Sequence, residues 1–123
     1  MTSLRVIRME PGERFPRDFP DVSNAVVLSC KGSATEVSMR FGDGPVRGLK
    51  GPFEVITVDG VFFDDGSFHL HAVLADDTGE TIGGHLKGFE VYTTMEWVLG
   101  EMDVRLVREE DERTGYRELT GIL

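Results

Sequence analysis

The chain has 123 residues, 40% of them hydrophobic, with 22 Asp and Glu against 13 Lys and Arg, a formal charge of −9 and an isoelectric point near 4.7. That length suits one domain, residues 1–123, around one core. The charge repels a polyanion unless a local basic face overcomes the field, which argues against nucleic-acid binding by the surface at large. One cysteine, Cys30, excludes an internal disulfide framework. With no apolar signal core at residues 1–5 and no apolar run near the ~20 residues that span a bilayer, a cytoplasmic protein without a membrane partner is expected.

Period-two alternation dominates the chain, and helical periodicity is scarce. Residues 4–9 predict a first strand, ended by Pro11-Gly12. Residues 13–21 set Phe15 and Phe19 at helical spacing, but Pro16 and Pro20 bracket them, so a short helix or helical turn is expected. Residues 24–30 and 34–41 read as two strands joined through Lys31-Gly32-Ser33. Cys30 falls within the first as a small buried thiol, and no motif supplies the base that would make it a nucleophile. Residues 42–50 form a Gly/Pro-rich loop, 53–58 a buried strand, and Asp64-Asp65-Gly66 a turn. The strands at 68–76, 90–99 and 103–108 complete the set. The tail at 108–113, Arg-Glu-Glu-Asp-Glu-Arg, reads as a solvated charged loop.

All three histidines of the chain fall between residues 69 and 85, as His69-Leu70-His71 and Gly83-Gly84-His85. On a strand at 68–76, His69 and His71 project from the same face about 7 Å apart. Asp77-Thr78-Gly79 suits a three-residue hairpin loop with glycine in the left-handed position. Pairing Asp76 with Glu80 then sets His71 opposite His85, with Cβ atoms roughly 5 Å apart, and His69 on the diagonal. Three imidazoles and an open fourth position match a catalytic zinc site more closely than a structural one. A slip of one residue at Gly83-Gly84 would send His85 to the opposite face, leaving ordinary strand histidines bonded to backbone.

Metal chemistry on a carbonyl needs an acid or base near the ion. Glu54, in Gly51-Pro52-Phe53-Glu54-Val55-Ile56, and Glu96, in Thr93-Thr94-Met95-Glu96-Trp97, are carboxylates in apolar strand company. Both are candidates, with an exposed or hydrogen-bonded structural role as the alternative.

Several segments together resemble the PPC domain, shared by plants and prokaryotes. They are Val26-Val27-Leu28-Ser29, Gly51-Pro52-Phe53-Glu54-Val55-Ile56, His69-Leu70-His71-Ala72-Val73-Leu74-Ala75-Asp76, Gly83-Gly84-His85-Leu86, Val91-Tyr92-Thr93-Thr94 and Thr114-Gly115-Tyr116-Arg117-Glu118-Leu119, in family order from about Arg5 onward. The resemblance implies a single α+β domain with a bent, largely antiparallel sheet and one short helix, assembled as a homotrimer. It also implies likeness to the fold of acetolactate decarboxylase, a zinc enzyme whose metal is held by a His-x-His pair and a later histidine. His69, His71 and His85 match that arrangement in type and order.

The chain departs from the family pattern in places. The segment after Pro11-Gly12-Glu13 is short and proline-interrupted where the family has a full helix. Cys30 stands where glycine is usual, and Pro52 where plant members carry arginine. No Arg-Gly-Arg-Pro core of an AT-hook is present. Prokaryotic members are often labelled as DNA-binding, a label that fits poorly with a charge of −9.

The expectation is therefore a homotrimer with a divalent metal, zinc, on His69, His71 and His85. It would act on a small-molecule substrate as a lyase or hydrolase, with Glu54 or Glu96 as the acid/base. The alternatives are a non-catalytic module that contacts a protein partner through Gly51, Pro52, Phe53, Glu54, Val55 and Ile56, and a DNA-associated regulator.

Overall fold

Alternating apolar and polar side chains suit a sheet with one buried face, and they draw nearly the whole chain into strands. The computed structural model describes residues 2–122. Its strands are β1 (Ser3–Met9), β2 (Arg14–Phe15), β3 (Ala25–Arg40), β4 (Val46–Phe62), β5 (Phe68–Ala75), β6 (Thr81–Glu101), β7 (Leu106–Asp111) and β8 (Tyr116–Ile122).

Among the described residues there is no helix, so the molecule is all-β and the expected α+β class is corrected. The short helix expected at 13–21 is a two-residue strand followed by turns. Proline explains the difference: Pro16 and Pro20 donate no backbone N–H and cannot extend a helical ladder. Only an isolated turn survives, in which the Asp18 N–H donates to the Arg14 carbonyl at 2.7 Å and the Phe19 N–H to the Pro16 carbonyl at 3.1 Å. Phe15 and Phe19 still meet edge to face, with centroids 5.0 Å apart, because a turn brings such neighbours together as a helix does. The described residues hold no helix long and apolar enough to cross a membrane.

The main sheet runs β1-β6-β3-β4-β5, with β2 also on β6, and every pairing is antiparallel. Strand β6 additionally pairs with β5, so the sheet curls until β3, β4, β5 and β6 close into a ring. The two strands expected at 24–30 and 34–41 are one continuous β3. Gly32 makes this possible, since a Cβ there would fall 1.9 Å from the Thr94 carbonyl oxygen on β6. Part of the loop expected at 42–50 belongs to β4, which turns back on β3 so that Val46 faces Arg40. The charged loop expected at 108–113 lies in β7 and the turn that follows it, and β7 and β8 form a separate two-stranded sheet.

The core centres on Trp97, fully buried among Phe15 (5.3 Å), Phe19 (4.9 Å) and Phe62 (6.4 Å). Cys30, paired with Trp97 across β3 and β6, is buried as expected, and desolvation pushes its thiol pKa well above the ordinary value. On the outer face of the sheet, Leu4, Val6 and Leu28 are large apolar side chains left exposed.

Candidate metal centre

The turn between β5 and β6 fixes the position of the histidines. The Asp76 carboxylate accepts hydrogen bonds from the Thr78 N–H (2.9 Å), the Thr78 hydroxyl (2.7 Å) and the Glu80 N–H (3.0 Å), the local bonding expected of an Asx turn. Gly79 has a φ of 85°, the left-handed conformation that glycine adopts without steric cost. The Asp76 N–H closes the turn on the Glu80 carbonyl at 2.9 Å. From there the register runs without a bulge, from Ala75 opposite Thr81 to His71 opposite His85. The slip at Gly83-Gly84 does not occur. Gly84 instead admits β3, because a Cβ there would lie 2.9 Å from the Arg40 carbonyl oxygen and the Phe41 ring.

His69 lies two residues along β5, opposite Val61 of β4, and shares the face of His71. Ring centroids are 5.0 Å apart for His69 and His71, 5.1 Å for His69 and His85, and 4.6 Å for His71 and His85. One nitrogen from each ring lies within 4.8 Å of the other two. Nitrogens that share a tetrahedral zinc at 2.0–2.1 Å sit roughly 3.4 Å apart, a closure within reach of side-chain rotation. The donor set fits a divalent ion on a second count, since His69 Nε2 is buried without a hydrogen-bond partner. Burial, followed by repulsion from His71, holds the pKa values of His69 and His85 below the ordinary imidazole value, which favours the neutral form that binds metal.

A cavity of about 420 Å³ opens over the three imidazoles. Arg40 of β3, Lys87 of β6, Arg108 of β7 and Tyr116, Arg117 and Glu118 of β8 line it together with Asp43. The β7–β8 hairpin thus reaches the histidines, although it is a separate sheet. The Tyr116 hydroxyl donates to the Asp43 carboxylate. Glu118 opposes the depression of the His69 pKa, whereas Arg108 and Lys87 add to it. Desolvation, and then the neighbouring cations, also lower the pKa of Lys87 and of Arg108.

Glu54 and Glu96 are not in this cavity. They meet at a separate depression of about 290 Å³, with Lys31, Gly32, Val55 and Ile56. Of the segment expected to contact a partner, Gly51, Pro52, Glu54 and Ile56 are exposed, Phe53 is half-buried and Val55 is buried. The residues that the histidine spacing could not reveal are Arg40, Lys87, Arg108, Arg117 and Glu118. Arg117 and Glu118 stood in the sequence only within the family segment Thr114-Gly115-Tyr116-Arg117-Glu118-Leu119, whose Gly115 has a φ of 77°.

The model of the Plants and Prokaryotes Conserved domain matches residues 3–103. The chain belongs to this family. Its fold is shared with a protein from Salmonella cholerae-suis at 30% identity and a TM-score of 0.89, covering 98% of this chain and 93% of that one. A metal-containing protein from Archaeoglobus fulgidus is 25% identical with a TM-score of 0.78, covering 97% and 94%. Over 129 aligned residues the PPC chain is also 39% identical to the bifunctional protein GlmU of Synechococcus sp. (strain JA-3-3Ab). That match takes in 95% of this chain but only 20% of the Synechococcus protein, so the chain spans about a fifth of that relative.

Proposed function

We propose that this PPC chain assembles as a homotrimer and holds one divalent ion, zinc, on His69, His71 and His85, to act on a small-molecule substrate as a lyase or hydrolase. The observation that carries the reading is the convergence of one nitrogen from each histidine within 4.8 Å, on two strands whose register a hydrogen-bonded turn pins. The description of the Archaeoglobus protein as metal-containing supports it. A zinc ion with three protein ligands supplies Lewis acidity toward a carbonyl oxygen or a water. In the same cavity Glu118 is a carboxylate available to move a proton, whereas Asp43 is bonded by the Tyr116 hydroxyl. Exposed Leu4, Val6 and Leu28 support self-assembly, since pairing with another copy would cover them.

Metal analysis of protein purified without a histidine tag tests this reading. One zinc per chain is expected for the wild type and none for His71→Ala. A wild type with no stoichiometric metal and no change in stability on adding zinc contradicts it.

The exposed apolar side chains and Ile56 also suit a non-catalytic partner-binding module. That reading expects His71→Ala to leave both assembly and partner capture intact.

A further inference from the structure

The charge of the chain is unevenly spread. Acidic residues outnumber basic ones, 22 to 13, yet the cavity over the histidines sets Arg40, Lys87, Arg108 and Arg117 against only Asp43 and Glu118. Asp43 is already engaged by the Tyr116 hydroxyl. Elsewhere on the surface, arginines find carboxylates: Arg14 lies 2.9 Å from Glu36 and Arg105 2.8 Å from Asp64. Among the described residues Arg40, Lys87 and Arg108 form no ion pair at such distances: Asp65 acts on Arg108 only as a neighbouring charge, and Arg117 reaches Asp65 only at 3.9 Å.

Two of these cations are also held in place. Arg108 lies over the Phe63 ring at 4.7 Å and Arg40 over the Tyr116 ring at 5.9 Å, contacts that orient a guanidinium plane. The Nε atoms of both are buried without a hydrogen-bond partner. Buried donors without acceptors are rare in folded proteins and are costly to maintain. Positioned cations, orphaned donors and a cavity of about 420 Å³ describe a site completed by a small anion, since that volume falls within the range of small-molecule pockets.

We propose that the cavity binds a small organic oxyanion, through a carboxylate or phosphate group gripped by Arg40, Lys87 and Arg108 beside the histidines. Guanidinium groups present paired donors that fit such groups. The proposal rests on the metal reading for its second anchor, a neighbouring ligand oxygen directed at the ion.

Titration calorimetry with malonate and with inorganic phosphate tests the proposal, with zinc content measured in the same samples. The expected result is 1:1 binding of one of them with a Kd below ~1 mM. Preference for malonate assigns a carboxylate ligand, and preference for phosphate assigns a phosphate ester. Arg40→Gln and Lys87→Gln should each weaken binding ~10-fold or more, because each removes a charge-assisted donor. Lys87 is exposed, so its variant keeps the test open should Arg40→Gln fail to fold.

Zinc-loaded protein that takes up neither anion, or binding that Lys87→Gln and a folded Arg40→Gln leave unchanged, overturns the proposal and leaves the metal reading standing. Anion binding that is sensitive to these substitutions in protein that takes up no zinc supports the cation site and overturns the metal reading alone. Displacement of the bound anion by duplex DNA overturns the small-molecule assignment in favour of a nucleic-acid backbone.

Discussion

At the residue scale, desolvation favours the neutral, metal-binding form of His69 and His85. Removing one ligand should matter more than losing the supporting contacts of a metal site, which typically costs 10–100-fold in affinity. His71→Ala is therefore expected to lower zinc affinity roughly 100-fold or more, read by competition with a chromophoric chelator. The pH dependence has a definite sign. The folded state holds His69 and His85 below their ordinary value of 6.5, so the unfolded chain takes up those protons first as pH falls. Metal-free protein should accordingly lose stability from about pH 6.5 downward. Protons also compete with metal in the same direction, so the rise in melting temperature on adding zinc should be large at about pH 7.5 and small at about pH 5.5. A zinc-dependent rise that is independent of pH would argue against imidazole ligation. The cluster was legible because His-x-His on a strand and an Asp-Thr-Gly turn are local signals. Arg40 and Arg108 were not, since Arg40 comes to stand opposite His85 through the long-range β3–β6 pairing and Arg108 reaches the cavity on the terminal hairpin.

At the element scale, the position of β5 depends on how closely β4 approaches it. Gly60 has a φ of 140°, and a Cβ there would fall 2.0 Å from the His69 carbonyl oxygen. Gly60→Ala should therefore cost about 2 kcal/mol or more, lower the melting temperature and weaken metal binding by displacing His69. Trp97→Ala should cost about 3–5 kcal/mol by emptying the aromatic core, measured by denaturant unfolding. Most strands could be read from their alternation, because one face of the main sheet is buried. The segment at 13–21 misled because Phe15 and Phe19 mimic helical spacing within a proline-limited turn. Of the β7–β8 hairpin only the start of β7 was legible, in the strand expected at 103–108, and the rest stayed hidden for another reason. Glu109, Glu110, Arg117 and Thr120 are exposed, so much of the hairpin lacks the apolar alternation that marks a half-buried strand. Its turn is built from polar contacts, including the Arg113 N–H donating to the Asp111 carboxylate at 2.9 Å.

At the scale of the whole molecule, net charge and local charge diverge. A charge of −9 predicts that the purified protein does not shift duplex DNA at physiological ionic strength, whereas the histidine cavity is basic enough to retain a small anion. The outer face carrying Leu4, Val6 and Leu28 sits on neighbouring strands: Leu4 faces Gly100 and Val6 faces Val98, and a Cβ at Gly100 would lie 3.4 Å from the Leu28 side chain. A charge introduced there would have to be desolvated in any assembly that covers the face. Val6→Glu is expected to convert the proposed trimer to monomers in sedimentation velocity while leaving the fold intact by circular dichroism. A wild type that sediments as a monomer would contradict the assembly.

A crystal structure of the untagged protein, with anomalous data collected on both sides of the zinc edge, tests metal binding by the three histidines. A single edge-dependent peak per chain is expected, within about 2.0–2.1 Å of one nitrogen from each of His69, His71 and His85. Zinc-soaked crystals with no peak among the three rings, or with a peak on other residues, would contradict it.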